Sequence, residues 1–355
     1  MAASISNCTN HDLLMSRRPE KILALQFKYF GDAVLMTPAL RALHTHLPLA
    51  HIHLLVPEEI APLFRQLPWL TRVWSMPRRR GRANLRETWP LLRALRREHF
   101  DRSVDFASND RGAILSRIIG SRQRLGWDEP GGFLGRRFCY NQRVAPGEKP
   151  GYESARFVHL LSGWQIPPPP SLAPEIHADP ALAGKAEELL PPTRALVCHI
   201  ACSMPKNEWP LPHWAAFHQL AIAAGWPVVF TTPRGAREAA RATELQRLLP
   251  GARILPPIND LPLFLAVLAR AGVFVSGDTG PLHFAAGLGV PTISLFGPSS
   301  PTRWAPVGPR HQALIGGHCG CDGNVTVCTT PRHCLAEIAP AQVAAALENV
   351  PTRAG

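Results

Sequence analysis

The chain runs through one pattern twice, on either side of four consecutive prolines. Apolar segments of strand length alternate with segments carrying Leu and Ala at helical spacing. In the first half the strand-like segments are KILALQF (21–27), HIHLLV (51–56), RVWSM (72–76) and RSVDFA (102–107). In the second they are ALVCHI (195–200), PVVFTT (227–232), GVFVS (272–276) and TISLFG (292–297), with helices predicted near 212–224, 234–249, 260–271 and 281–288. Strands alternating with helices pair in parallel, because each crossover needs a helix to carry the chain back. Between the halves lies WQIPPPPSLAPEIHADP (164–180), whose prolines exclude regular helix and central strand. The 355 residues suffice for two cores. The expected division is an extension at 1–20, one doubly wound α/β domain at 21–170, a linker and hinge at 171–181, and a second such domain at 182–355.

No apolar run reaches the roughly 20 residues of a membrane span, and the first twenty residues lack the apolar stretch of a signal peptide. A cytoplasmic location is therefore expected, with either Met1 or Met15 as the start. Charge is uneven. Residues 1–178 hold 25 Lys plus Arg against 15 acids, and residues 179–355 hold 13 against 11. Nine arginines and one acid fall between Arg72 and Arg97, a block that suits an anionic partner or a solvated helix face. Interleaved aromatics are sparse and no zinc-finger or RNA-recognition signature is present, so no nucleic-acid partner is expected.

Doubly wound sheets bind ligands at the carboxyl ends of their strands. Three segments there carry candidate chemistry. In QFKYFGDAVLMTPAL (26–40), Gly31 lets the chain turn off the strand and sets Asp32 at the sheet edge, where it either caps the next helix or serves as a general base. Thr37 followed by Pro38 predicts a helix start at 37, leaving 28–36 as a loop or irregular turn. In VFVSGDTGPLHFAAGLGVPTISLFGPSSPTRW (273–304), Asp278, Thr279 and Gly280 form the turn, Pro281 opens a short helix, and His283 lies in its first turn. Free amides at that helix start suit a phosphate, although neither dinucleotide nor P-loop fingerprints are present. In HIACSMPKNEWPLPHWAAF (199–217), Lys206 either reaches the cleft or is a solvated loop lysine.

Taken together, GDAVLMTPAL, the K-x-x-WP element at 206–210 and SGDTGPLHFAAGLGVPTISLFGPSSPTRWAP resemble the ADP-heptose:lipopolysaccharide heptosyltransferases, the family-nine glycosyltransferases. The resemblance runs from Lys21 to about residue 350. It implies a GT-B architecture, two Rossmann-like domains facing a central cleft, with acceptor bound by the first and nucleotide sugar by the second. It further implies inverting, metal-independent transfer with no cofactor. Asp32 matches the family's base and Lys206 the group on the donor phosphates, while Ala201, Cys202, Asp278, Thr279, Gly280 and His283 match the donor site and Glu238 an acid on the ribose. Arg78, Arg79, Arg80 and Arg82 would then meet an anionic lipopolysaccharide core or lipid A acceptor at the cytoplasmic face of the inner membrane. The alternatives are a family-nine transferase of another sugar, a nucleotide-sugar epimerase, and a catalytically inert binding protein for core assembly. Cys319, Cys321, Cys328 and Cys334 form a C-x-C-x6-C-x5-C cluster that is either a structural zinc site or a set of reduced thiols outside the active site.

Overall fold

A computed structural model describes residues 18–77, 85–147, 151–190, 195–317 and 333–351. The first half forms a six-stranded sheet from β1 (Lys21–Leu25), β2 (His51–Pro57), β3 (Arg72–Met76), β4 (Arg102–Asp105), β5 (Gln123–Trp127) and β6 (Gln142–Val144). Its spatial order is β3-β2-β1-β4-β5-β6, and all pairs are parallel. The second half builds a like sheet from β7 (Leu196–His199), β8 (Val228–Thr231), β9 (Arg253–Ile254), β10 (Val273–Gly277), β11 (Thr292–Phe296) and β12 (His311–Ile315). Its order, β12-β11-β10-β7-β8-β9, repeats the first once the strands are renumbered from β7. Each sheet therefore reverses direction between its first and fourth strands, where doubly wound folds open a crevice.

Helices α1 (Phe30–Leu35), α2 (Thr37–His46), α3 (Leu85–Arg97), α4 (Asp110–Ile119) and α5 (Glu153–Leu160) accompany the first sheet. With the second come α6 (Ala183–Leu189), α7 (Leu211–Ala223), α8 (Ala236–Leu248), α9 (Leu261–Ala269), α10 (Gly280–Gly287), α11 (Pro301–Trp304) and α12 (Pro340–Asn349). Among the described residues no helix is long and apolar enough to cross a membrane. The central strands are buried along nearly their whole length, which is why they read as continuous apolar runs.

One apolar core runs through both halves, taking Val34, Ala39 and Leu43 from the first and Leu282, Phe284 and Ala285 from the second. Phe30 of α1 meets Phe284 of α10 edge to face at 5.8 Å, a geometry worth about 0.5–1.5 kcal/mol beyond its area. The linker fastens to both sides. Arg41 pairs with Glu175 at 3.1 Å and donates to the carbonyls of Ser171 and Ala173, while the Ile176 amide donates to the Gly287 carbonyl at 2.9 Å. The prolines thus lead into a strap clamped against α2 and α10.

At the end of β4, Asp105 is fully buried and accepts bonds from the Tyr140 hydroxyl at 2.6 Å and the Ala107 amide at 2.9 Å. Gly112 makes room for it, since a Cβ there would fall 2.3 Å from its carboxylate. Burial lifts the Asp105 carboxyl from 3.8 to about 6 despite the Tyr140 and Ala107 bonds. The folded state therefore holds the proton more tightly than the unfolded chain. Stabilisation from this group is complete below pH 3.8 and lost as pH rises through about 6. Asp105→Asn should remove that dependence, gaining on the parent by on the order of 3 kcal/mol between about pH 4 and about pH 7. Melting curves of both proteins across this range check it, and a difference in melting temperature that stays constant would contradict it.

Candidate active site

The first wall of the cleft is α1. Where a loop was expected, Phe30–Leu35 is helical, and Met36 joins it directly to α2. Thr37 does not cap a helix start. Its hydroxyl donates to the Val34 carbonyl at 2.8 Å and accepts the Glu175 amide of the linker at 2.8 Å. The run Ala33-Val34-Leu35-Met36 is buried between the two halves, and that packing overrides the local start signal. Asp32 consequently sits in the first turn of a helix, where the dipole favours a carboxylate. It is 8 % exposed. Its pKa is raised, chiefly by burial; Lys28 opposes the rise, Glu153 adds to it and Arg303 opposes it again. Such a carboxylate is a stronger base than a free one and is suited to removing a proton from a hydroxyl.

Gly31 serves a different purpose from the expected turn. Within α1 a Cβ at this position would stand 2.8 Å from Cδ2 and 3.3 Å from Nε2 of His283 in α10. Only a bare Cα lets the two helices approach so closely across the cleft. His283 is itself buried, with its ring edge toward Trp304 at 6.4 Å and no hydrogen-bond partner for Nδ1. Burial lowers its pKa to about 4, so the imidazole is neutral at physiological pH.

Beside this contact opens a cavity of about 520 Å³. Tyr29, Phe30 and Gly31 close it from the first half, and residues at the carboxyl edge of the second sheet form the rest. Of the candidates from sequence, Ala201, Cys202, Glu238, Thr279 and Gly280 line it. Pro256, Ile258, Leu261 and Phe264 give it apolar wall, while Ser203, Thr231, Thr232, Arg234 and Asn259 add polar groups. Thr279, extended and without a side-chain cap bond, leads into α10, so the positive end of that helix borders the cavity. Burial drives the Cys202 thiol far up, so the cysteine presents a neutral surface.

Asp278, His283 and Lys206 do not line this cavity. Asp278 has a raised pKa, mainly from burial, with a Ser299 hydrogen bond opposing it. Asn207 donates to Ser299 Oγ at 3.0 Å, so Ser299 links Asn207 to Asp278 in the turn that leads into α10. Lys206 lies in a 3-10 turn, Pro205–Asn207, and is 4 % exposed, which excludes a solvated lysine. Glu208 holds the same loop. It accepts the Cys202 amide at 2.9 Å and pairs with Arg237 and Arg241. No sequence signal marks Glu208 beyond its place in the K-x-x-WP element.

A second cavity, of about 480 Å³, is lined by Lys28, Glu129, Glu153, Arg156, His159 and Arg303 among others. Lys28, Glu153 and Arg303 are also the side chains that act on Asp32, so this cavity adjoins it. Glu153 binds Arg303 of the second half at 2.9 Å and Arg156 at 3.3 Å, and Arg156 reaches Glu129 at 2.6 Å. The cavity combines three cations with two carboxylates that are already engaged by arginines. Arg78, Arg79, Arg80 and Arg82 lie outside the described residues, as do Cys319, Cys321 and Cys328. Cys334 is a buried thiol, and among the described residues no cluster of His, Cys, Asp or Glu could hold a metal ion.

Two sheets of identical order, a cleft between their carboxyl edges, a carboxylate on one side and a helix start on the other describe many nucleotide-sugar enzymes. The profile of glycosyltransferase family 9 (heptosyltransferase) matches residues 88–331. The chain belongs to glycosyltransferase family 9. It is 25% identical over 311 residues to lipopolysaccharide heptosyltransferase 2 of Escherichia coli K12, covering 83% of this chain and 87% of the relative. With lipopolysaccharide heptosyltransferase 1 of Pseudomonas aeruginosa it shares 27% over 308 residues, 85% of each chain. The E. coli heptosyltransferase WaaC solved with ADP-2-deoxy-2-fluoro heptose superposes with a TM-score of 0.69 at 22% identity, over 92% of this chain and 99% of that one. This family 9 member therefore has the GT-B fold and is a glycosyltransferase, as the sequence motifs imply.

Proposed function

We propose that this glycosyltransferase moves a heptose from ADP-heptose to a hydroxyl of an anionic lipopolysaccharide core acceptor, with inversion and without a metal. The observation that carries the reading is the approach of Gly31 to His283, which brings the helix carrying Asp32 against α10 beside a nucleotide-sized cavity that Gly31 itself lines. In this reading the adenine takes the apolar wall at Pro256–Phe264, Glu238 receives the ribose, and the diphosphate meets Thr279 and Gly280. The Asp32 carboxylate accepts the proton of the acceptor hydroxyl. That oxygen bonds to the anomeric carbon from the face opposite the diphosphate, and the carbon–oxygen bond to ADP breaks. The helix start and Lys206, from the loop behind the donor turn, offset the charge that grows on the leaving group.

The second cavity suits the acceptor, since Lys28, Arg156 and Arg303 present cations beside the base. The arginine block at 78–82 is proposed to bind the same anionic acceptor, whose lipid A lies at the cytoplasmic face of the inner membrane. ADP release, measured with ADP-heptose and a series of truncated core oligosaccharides, tests the function. Release that depends on one acceptor is expected. Sugar isomerisation without acceptor would instead indicate an epimerase, and tight ADP binding without any release an inert binding protein.

The electrostatics give a further expected result. Glu153 raises the Asp32 pKa and neutralises Arg303 and Arg156. Glu153→Gln removes the raising charge and leaves Arg303 without its carboxylate partner, while Arg156 keeps Glu129, and both changes lower the Asp32 pKa. The acid limb of the kcat/KM profile should move to lower pH, as a pH–rate series of variant and parent would show. An unmoved or raised limb would mean that Asp32 is not the group titrating.

A further inference from the structure

The segment PGGFLGRRF (130–138) leaves the carboxyl end of β5 and turns Leu134 wholly into solvent, with Phe138 70 % exposed and Phe133 also exposed. Apolar side chains at a loop tip are costly in water unless something covers them. The loop is firmly held. Asp110 accepts the Phe133 amide at 3.2 Å, and Arg136 donates to the carbonyls of Ser108 at 3.3 Å and Glu129 at 3.2 Å. These anchors lie at the carboxyl edge of the first sheet, and Glu129 lines the cavity beside Asp32.

The exposed apolar surface continues sideways. The 3-10 turn Arg136–Cys139 packs on α4, and α4 packs on α3. On α4 the outward side chain is Ile114, and on α3 it is Trp89, 62 % exposed. Five of the twelve large apolar side chains exposed among the described residues thus belong to three adjoining elements. Cations accompany them. Arg93, Arg96 and Arg97 of α3, Arg117 of α4 and Arg137 of the loop are exposed, and the Arg137 guanidinium stacks 4.9 Å from the Phe138 ring. The nearby carboxylates are engaged, Asp110 by Arg136 at 3.9 Å and Glu98 by Lys21 at 2.7 Å.

From this we infer that the face made by α3, α4 and residues 130–138 docks on an anionic phospholipid bilayer, with Phe133, Leu134 and Phe138 entering the interface and the arginines meeting headgroup phosphates. Charge complementarity selects the bilayer over a neutral apolar partner, because a face this rich in arginine would bury unpaired cations against one. The inference rests on the proposed lipid-linked acceptor for its purpose. It places the acceptor cavity next to the surface from which such an acceptor would project.

The test is sedimentation of the full chain with vesicles of phosphatidylcholine alone or mixed with phosphatidylglycerol. The parent should partition to the mixed vesicles and hardly at all to phosphatidylcholine. Leu134→Ser/Phe138→Ser should weaken that partition roughly tenfold or more, since two apolar groups no longer enter the interface. Both side chains are exposed, so the variant should melt as the parent does. Its turnover on a water-soluble truncated acceptor should be unchanged, whereas the KM for an acceptor embedded in vesicles should rise. Equal partition of variant and parent would overturn the inference, as would failure of the parent to bind mixed vesicles or self-association through this face instead. Vesicle binding that behaves as expected in a protein without transfer activity would refute the proposed function and leave the docking face standing.

Discussion

Asp32→Asn is expected to lower turnover by about 10²- to 10⁴-fold while leaving ADP affinity essentially unchanged. The side chain keeps its shape, so the packing of α1 against α10 survives, but the amide cannot take the acceptor proton. Asp32 is buried at the first turn of α1 and is not part of the wall of the 520 Å³ cavity, which is why donor binding should be spared. Calorimetric titration with ADP separates the two effects from a steady-state assay of release. A variant that turns over near the parent rate would transfer the base role to another group. A variant that loses ADP binding along with turnover would show that the carboxylate holds the halves together rather than taking the proton.

Gly31→Ala should be nearly as damaging, although it adds one methyl group and no charge. The new Cβ would meet Cδ2 of His283 at 2.8 Å, and His283 is buried beside Trp304. Either the ring or the helix carrying Asp32 has to shift, and displacing a reacting group by about an ångström costs about 10²-fold in rate. Overpacking should also cost about 1–3 kcal/mol of stability. His283→Ala removes the obstruction, so the double variant should recover part of the lost rate, and the double-mutant cycle should show strong coupling. Additive effects would mean that this contact does not set the position of Asp32.

How much of this was legible in the sequence depended on burial. All eight strands read from apolar runs exist, with ends within two residues; seven are interior parallel strands, covered on both faces and largely apolar, and the eighth, β3, lies at an edge but still buries Trp74 and Met76. The four that escaped notice are β5, β6, β9 and β12, which flank the sheets or approach their edges. QRLGW and HQALI mix polar and apolar residues, and the other two strands are three and two residues long. The placement of Asp32, Thr279 and Gly280 just beyond the carboxyl ends of strands was readable because strand, turn and helix lie together in the chain. Glu153 and Arg156 were not, since a helix more than a hundred residues away brings Glu153 into the surroundings of Asp32 and both residues into the second cavity, and nothing local in GYESARF announces it. Lys28 and Arg303 stood within the segments already singled out, yet their meaning depends on Glu153. The α1 helix was missed because Thr-Pro is a strong start signal, and packing between the two halves overruled it.

A structure of the protein with ADP and a core oligosaccharide acceptor bound is the most direct measurement. The diphosphate is expected at the Thr279–Gly280 end of the 520 Å³ cavity, the acceptor in the neighbouring cavity among Lys28, Arg156 and Arg303, and an acceptor hydroxyl within hydrogen-bond reach of the Asp32 carboxylate. ADP bound elsewhere, or an acceptor whose hydroxyls all lie beyond reach of Asp32, would contradict the transfer chemistry assigned to this cleft.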